Sequence, residues 1–325
     1  MKALKIIAYL LGIFALLVVA GGIYVKTAMP DVGPSPVITV DRSPDRVANG
    51  RYLANHVTVC MDCHSKRDWT QFAGPMVVGS LGGGGEVFNQ QMGFPGAFYA
   101  PNITPAALKN WTDGDILRAV TTGVSKDGRA LFPVMGWHRF GKMDKDDIYD
   151  IIAYLRTLPP LDRIVPKSEA DFPVNFLINT MPEKAQFDKK PNIADTVKYG
   201  AYLANAAGCV ECHSKTDKGT VIKGTEFGGG MEFPMPAGVV RSANITFHAA
   251  TGLGSWSKAD FIDRFTEYVS ADYRTAGLRT NDMNTPMPWA MYGGMEESDL
   301  GAIYTYLAQL PPIDNRVIKF TPAKK

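Results

Sequence analysis

The chain has 325 residues, 46% of them hydrophobic, a length and composition that suit about two folded domains. Basic and acidic side chains nearly balance, 34 against 32, so charge gives no sign of a nucleic-acid surface. Glycine (32 residues) and proline (22) are plentiful, which points to short helices joined by many turns.

Lys2 and Lys5 precede an apolar run from Ile6 to Val25. Twenty residues rising about 1.5 Å each reach about 30 Å, enough to cross a bilayer. A signal peptide cleaved after Val18-Val19-Ala20 is the competing reading, but the run continues to Tyr24 and favours an uncleaved anchor over residues 1–26. Positive charge before the run places the N-terminus in the cytoplasm and the remainder outside. Residues 27–44 contain Pro30, Pro34, Pro36 and Pro44 and read as an extended tether.

From there one module is written twice, over residues 45–161 and 196–315. Gly50-Arg51-Tyr52-Leu53-Ala54-Asn55 matches Gly200-Ala201-Tyr202-Leu203-Ala204-Asn205, each predicting a short helix. The first leads into Cys60-Met61-Asp62-Cys63-His64 and the second into Cys209-Val210-Glu211-Cys212-His213. C-x-x-C-H is the attachment sequence for c-type haem: two thiols so spaced bond the two vinyl groups of one porphyrin, and the following histidine ligates the iron. A redox dithiol needs no adjacent histidine, and zinc needs four ligands around one ion. The pattern therefore predicts two covalently bound haem c groups, with Cys60, Cys63, Cys209 and Cys212 as anchors and His64 and His213 as proximal ligands.

Glycine-rich turns follow, Gly82 to Gly85 with Phe88 and Gly228 to Gly230 with Phe233, and then Asn102-Ile103-Thr104 and Asn244-Ile245-Thr246. The two Asn-Ile-Thr loops are either plain loop structure or donors to haem propionates. Thr112 and Ser257, each with an aspartate three residues on, predict capping boxes opening helices that run to about Thr122 and Val269. Ile148, Ile151, Ile152, Leu155 and Leu158, and Leu300, Ile303, Tyr304, Leu307 and Leu310, predict terminal helices that stop by Pro159-Pro160 and Pro311-Pro312. Each is expected to bury one face against the helix leading to its own Cys-x-x-Cys-His. Residues 162–195 read as a polar connector whose apolar centre, Phe172 to Met181, is expected to pack along one module or between the two, and 316–325 as a loose basic tail.

The group opposite the histidine decides between a carrier and an enzyme: methionine gives a closed, raised-potential iron. A ligand common to both modules must sit at matching positions, which leaves Met135 with Met287, or Met143 with Met295. Met135 and Met287 lie on loops before the terminal helices and are preferred; Met143 and Met295 are read as helix packing. His138 is the rival in the first module, but its counterpart is Ala290. His56 and His248 are read as non-ligands. Trp137 and Trp289 are read as packing near the haems or as plain core aromatics.

Asn-Ile-Thr, then Gly252-Leu253-Gly254-Ser255-Trp256, Met287-Pro288-Trp289 and a helix ending Tyr-Leu-x-x-Leu-Pro resemble the class I cytochrome c modules found in tandem in the cytochrome subunits of membrane-bound alcohol and sugar-acid dehydrogenases. Those subunits typically carry three haems where this chain has two attachment sites, and Met135 is followed by Gly136 where the pattern has proline. The resemblance implies an all-α fold of two tandem cytochrome c domains after an N-terminal transmembrane helix, each with one His/Met haem. It implies a bacterial inner-membrane protein with its haem domains on the periplasmic side, an electron carrier with no catalytic residues of its own. The partners expected are a dehydrogenase subunit, an oxidase, or a small cytochrome or cupredoxin. A dihaem peroxidase is the alternative, and a dihaem dehydrogenase of inorganic sulfur compounds a more distant one.

Overall fold

A computed structural model describes residues 1–269, 277–279 and 281–323. Helix α1 (Lys2–Thr27) has no buried residue, a mean hydropathy of 2.6, and is, among the described residues, the one helix long and apolar enough to cross a membrane. The chain then runs extended to α2 (Pro44–Tyr52), whose first position is a proline. A wider-wound turn, Leu53–Val57, carries α2 toward α3 (Cys60–Cys63). Next come β1 (Val87–Phe88), β2 (Gly96–Tyr99), α4 (Pro105–Leu108), α5 (Asp113–Thr122), α6 (Trp137–Phe140), α7 (Lys145–Leu155), β3 (Glu169–Ala170) and α8 (Val174–Leu177). The second half repeats this order: α9 (Thr196–Ala206), α10 (Cys209–Cys212), a small hairpin β4 (Thr216–Asp217) and β5 (Thr220–Val221), then β6 (Glu232–Met235), β7 (Gly238–Arg241), α11 (Lys258–Thr266), α12 (Trp289–Tyr292), α13 (Glu297–Leu307) and β8 (Phe320–Pro322).

Local chemistry starts the long helices where the sequence predicts. The Thr112 hydroxyl accepts from the Asp115 amide at 3.0 Å while the Asp115 carboxylate accepts from the Thr112 amide at 2.9 Å. Ser257 and Asp260 do the same at 3.1 and 2.8 Å. Such caps satisfy two otherwise orphaned amides each. Helix α11, however, ends at Thr266. The expected extension to Val269 is a turn instead, and Tyr268 there lies stacked on Trp289 with ring centres 4.8 Å apart.

In each half the terminal helix packs on the helix before the Cys-x-x-Cys-His: α7 on α2, and α13 on α9. The approach is close because a glycine sits at each crossing. A Cβ on Gly50 would lie 1.8 Å from the Asp150 carbonyl oxygen, and one on Gly200 would lie 2.0 Å from that of Ala302. Ile148, Ile152 and Leu300 are fully buried there, each worth about 1.5–3 kcal/mol of apolar burial.

The fold is mainly helical, and all-α is too narrow a description. Each half carries a three-stranded antiparallel sheet, β1-β2-β3 and β6-β7-β8. The third strand comes from the segment after the terminal helix: Glu169–Ala170 pairs with Gly96–Ala97, and Phe320–Pro322 with Gly238–Val240. So the connector pairs with the first half, and the tail is not loose through residue 323; its last two residues lie outside the described ones. Gly96 (φ +147°) and Gly238 (φ +146°) permit this pairing, since a Cβ would meet the Glu169 and Thr321 carbonyl oxygens at 2.4 and 2.2 Å.

The halves share one continuous apolar core and meet through reciprocal contacts. Tyr202 donates to the Asp147 carboxylate at 2.6 Å and accepts from the Asp144 amide at 3.1 Å. Tyr52, its counterpart, donates to Asp299 at 2.7 Å and accepts from the Glu296 amide at 3.1 Å. The same patch on each copy thus clasps the first turn of the other copy's terminal helix, the pattern of a two-fold interface within one chain.

Candidate cofactor sites

The first Cys-x-x-Cys-His opens a short helix reached through a left-handed residue, Val59 at φ 47°; Gly208 at φ 71° does this in the second. The abrupt turn brings thiols and imidazole to one cavity wall. A cavity of about 580 Å³ is lined by Cys60, Cys63, His64 and Met135. A second, of about 390 Å³, is lined by Cys209, Cys212, His213 and Met287. Both volumes lie in the range of cofactor pockets. Apolar side chains form most of the walls, Ile116, Phe132 and Leu155 in the first and Leu253, Phe261 and Leu307 in the second.

Each histidine is held the same way. Nδ1 of His64 lies 2.7 Å from the Pro101 carbonyl oxygen, and Nδ1 of His213 lies 2.7 Å from that of Ala243. A carbonyl only accepts, so Nδ1 carries the proton and Nε2 keeps its lone pair. Burial lowers both histidine pKa values, which keeps the rings neutral. This is how a metal-ligating imidazole is oriented. Burial also pushes Cys63 and Cys209 up to about 12 and Cys212 to about 11. Thiols held neutral in this way are unlike the low-pKa thiolates of redox dithiols. Among the described residues no three His, Cys, Asp or Glu side chains converge as an ion site. A porphyrin needs only one such ligand from the chain, so the donor set fits haem c better than a bare ion.

Other residues singled out from the sequence fall elsewhere. Met143 is fully buried in the core outside the first cavity; Met295 is buried and touches the second. His138 bonds the Glu211 carboxylate at 2.5 Å, so it serves a contact between the halves. His56 bonds the Met291 carbonyl at 2.8 Å, and His248 the Thr251 hydroxyl at 2.8 Å. Trp289 lines the second cavity; Trp137 is buried with its indole N–H on the Leu131 carbonyl. Asn102 and Asn244 spend their amides inside the fold. Asn102 accepts from Thr104 and donates to the Leu161 carbonyl, and Asn244 does so with Thr246 and Ile313. They are loop structure, fixing the stretch that presents the carbonyl to each histidine.

Two residues that sequence reasoning missed cross between the sites. Phe72 of the first half lines the second cavity, on a loop tied down by Asn284, which accepts from the Ala73 amide at 2.8 Å. Arg139 lines the first cavity while its guanidinium bonds Glu211, inside the second Cys-x-x-Cys. Burial works to raise the Glu211 pKa, but the His138 hydrogen bond and the Arg139 charge outweigh it and hold it below the ordinary value. The equivalent Asp62 bonds Arg67 of its own half at 2.8 Å, yet burial prevails and raises it to about 6. The one available signal was a break in the repeat: Arg139 stands where the second copy has Met291.

Residues 197–311 match the cytochrome c family and form a cytochrome c domain. Over most of its length the chain is similar to cytochrome subunits of dehydrogenases. It is 27% identical to the fructose dehydrogenase cytochrome subunit of Gluconobacter japonicus, over 82% of this chain and 52% of that one. It is 25% identical to the cytochrome c subunit of the alcohol dehydrogenase (quinone) of Gluconacetobacter polyoxogenes, over 85% and 58%. A diheme c-type cytochrome of Cereibacter sphaeroides is 27% identical over 78% of this chain and 83% of its own. The chain spans little more than half the length of the two dehydrogenase subunits.

Proposed function

We propose that this chain is a membrane-anchored dihaem cytochrome c that relays single electrons from a respiratory dehydrogenase to a downstream acceptor. Residues 45–161 and 196–315 would each be a class I cytochrome c domain holding one haem c. The observation that carries the reading is the shared donor set: in both cavities two thiols, a histidine with its Nδ1 already used, and a methionine line one apolar pocket.

Bound there, haem supplies a one-electron ferric–ferrous couple. His64 and His213 would hold it through Nε2, Met135 and Met287 would be the further ligands, and the paired cysteines would anchor it. The apolar walls would shield the group from water, and a methionine ligand would leave no open position for substrate. A peroxidase needs such an open face, and the relatives described above give that alternative no support. The dehydrogenase relatives point to a dehydrogenase subunit as donor; an oxidase, a small cytochrome or a cupredoxin is the acceptor class. With α1 as a single-pass anchor, the domains stand on the periplasmic side of a bacterial inner membrane.

The test is optical. Haem quantified against protein should give two per chain, and the ferric protein should show a methionine–iron charge-transfer band. Met287→Ala should abolish the second site's share of that band while its haem stays attached, and Met135→Ala the first's. An unchanged spectrum in either variant, or rapid peroxide turnover by the parent chain, overturns the assignment.

A further inference from the structure

The apolar centre of the segment joining the two halves also packs on α1, a contact that its expected packing along or between the modules does not include. Helix α8 and the turn after it, Ile178–Thr180, pack on α1. The ring of Phe176 reaches Gly22, its Cζ 3.8 Å from where a Cβ on that glycine would stand. Gly22 lies three residues inside the end of the apolar run at Val25. At about 1.5 Å per residue that is a depth of about 5 Å below the run's outer end. If α1 spans a bilayer, Phe176 sits within it. Beside Phe176, Phe172 is 85% exposed and Leu177 44% exposed. These two large uncovered side chains, in the segment that packs on an apolar helix with no buried residue, extend the apolar surface of that helix.

The segment is also fixed on its other side. Strand β3 ties it to β2, and Ala170, Asn175 and Ile178 line the first cavity. It is therefore a bracket, with one flank on the first site and one on α1. We propose that residues 172–177 are a second membrane contact, lying in the headgroup–acyl boundary of the outer leaflet with Phe172 and Leu177 in lipid. An interfacial segment typically buries its apolar face about 5–10 Å into that boundary, which matches the depth of Phe176. The consequence is orientation. The segment would hold the flank of the first cavity toward the bilayer, adding to the hydrogen bonds by which Ser35 and Val40 already tie the stretch after α1 to Asp115 and Asp113. This rests on the reading of α1 as a retained anchor.

The experiment uses the full, haem-loaded chain in phosphatidylcholine–phosphatidylglycerol nanodiscs. Nitroxide is attached at Phe172→Cys and, separately, at Leu177→Cys; references are Leu16→Cys in α1 and Val78→Cys in a water-exposed loop. Collision with oxygen, which concentrates in lipid, is compared with collision with a water-soluble nickel chelate. The expected oxygen-to-nickel ratio at 172 and 177 is several-fold above that at 78 and on the same side as that at 16. A high ratio at 16 with water-like values at 172 and 177 overturns the second contact and leaves the anchor standing. Low collision with both reagents at 172 and 177 means a protein covers the segment, and overturns the lipid assignment. Loss of residue 16 from the mature chain overturns the anchor and the contact together.

Discussion

The reciprocal tyrosines give the sharpest test of how the two halves are joined. Tyr202→Phe removes a hydroxyl that donates to the buried carboxylate of Asp147 and accepts the Asp144 amide. A hydrogen bond to a charged group is worth about 1.5–3 kcal/mol, and a buried amide left without an acceptor costs about 1–3 more. Asp147 keeps its 2.6 Å bond to Lys190, which limits the loss. The expected cost is about 3 kcal/mol. Tyr52→Phe should cost less, about 2 kcal/mol. The freed Glu296 amide belongs to an exposed residue, and Asp299 keeps a hydrogen bond from Tyr199. The two sets share no hydrogen bond, although Tyr199 lies near both carboxylates, so the double variant should lose about 5 kcal/mol. Urea unfolding followed by far-ultraviolet circular dichroism measures this. Because the apolar core is continuous across the halves, the parent should unfold in one transition. The double variant should split into two with a shallower slope for each. A double variant that loses less than about 1 kcal/mol, or still unfolds in one transition of unchanged slope, refutes the tyrosines as the clasp.

Two further substitutions probe the neighbourhood of the second site. Gly208→Ala should destabilise by about 2 kcal/mol, because φ is +71° and the new Cβ would meet the Arg139 guanidinium at 2.8 Å; equal stability by urea unfolding would count against both causes. His138→Ala should leave the optical signature of the first haem intact, since the imidazole is spent on Glu211; loss of a first-site axial ligand would restore it as the rival to Met135.

What could be read in the sequence is what is local or duplicated. The caps at Thr112 and Ser257 need only four residues each, and the faces of α7 and α13 only helical spacing. The Cys-x-x-Cys-His, Asn-Ile-Thr and methionine loops stood out because they occur twice. Strands β3 and β8 escaped because they are two and three residues long, too short for alternation to register. Their pairing depends on glycines far away in the chain, at 96 and 238. The end of α11 escaped because Tyr268 packs against Trp289, a tertiary contact that no periodicity reports.

Unlike the reciprocal tyrosines, which stand at matching positions, the contacts around the second attachment sequence were hidden for a different reason: they lie where the copies disagree. His138 and Arg139 face Ala290 and Met291 in the alignment, and Asp62 faces Glu211. Duplication keeps whatever holds a cofactor the same in both copies. Two copies on one chain must also meet each other, and there only one partner of each new contact has to change. The carboxylate in the first attachment sequence is paired within its own half, by Arg67, and the one in the second is paired from across the junction, by Arg139 and His138. Two cavities lined by the same residue types therefore sit in unequal electrostatic surroundings. If each cavity holds a haem, as proposed, the two potentials would differ through the junction that sets the cavities side by side.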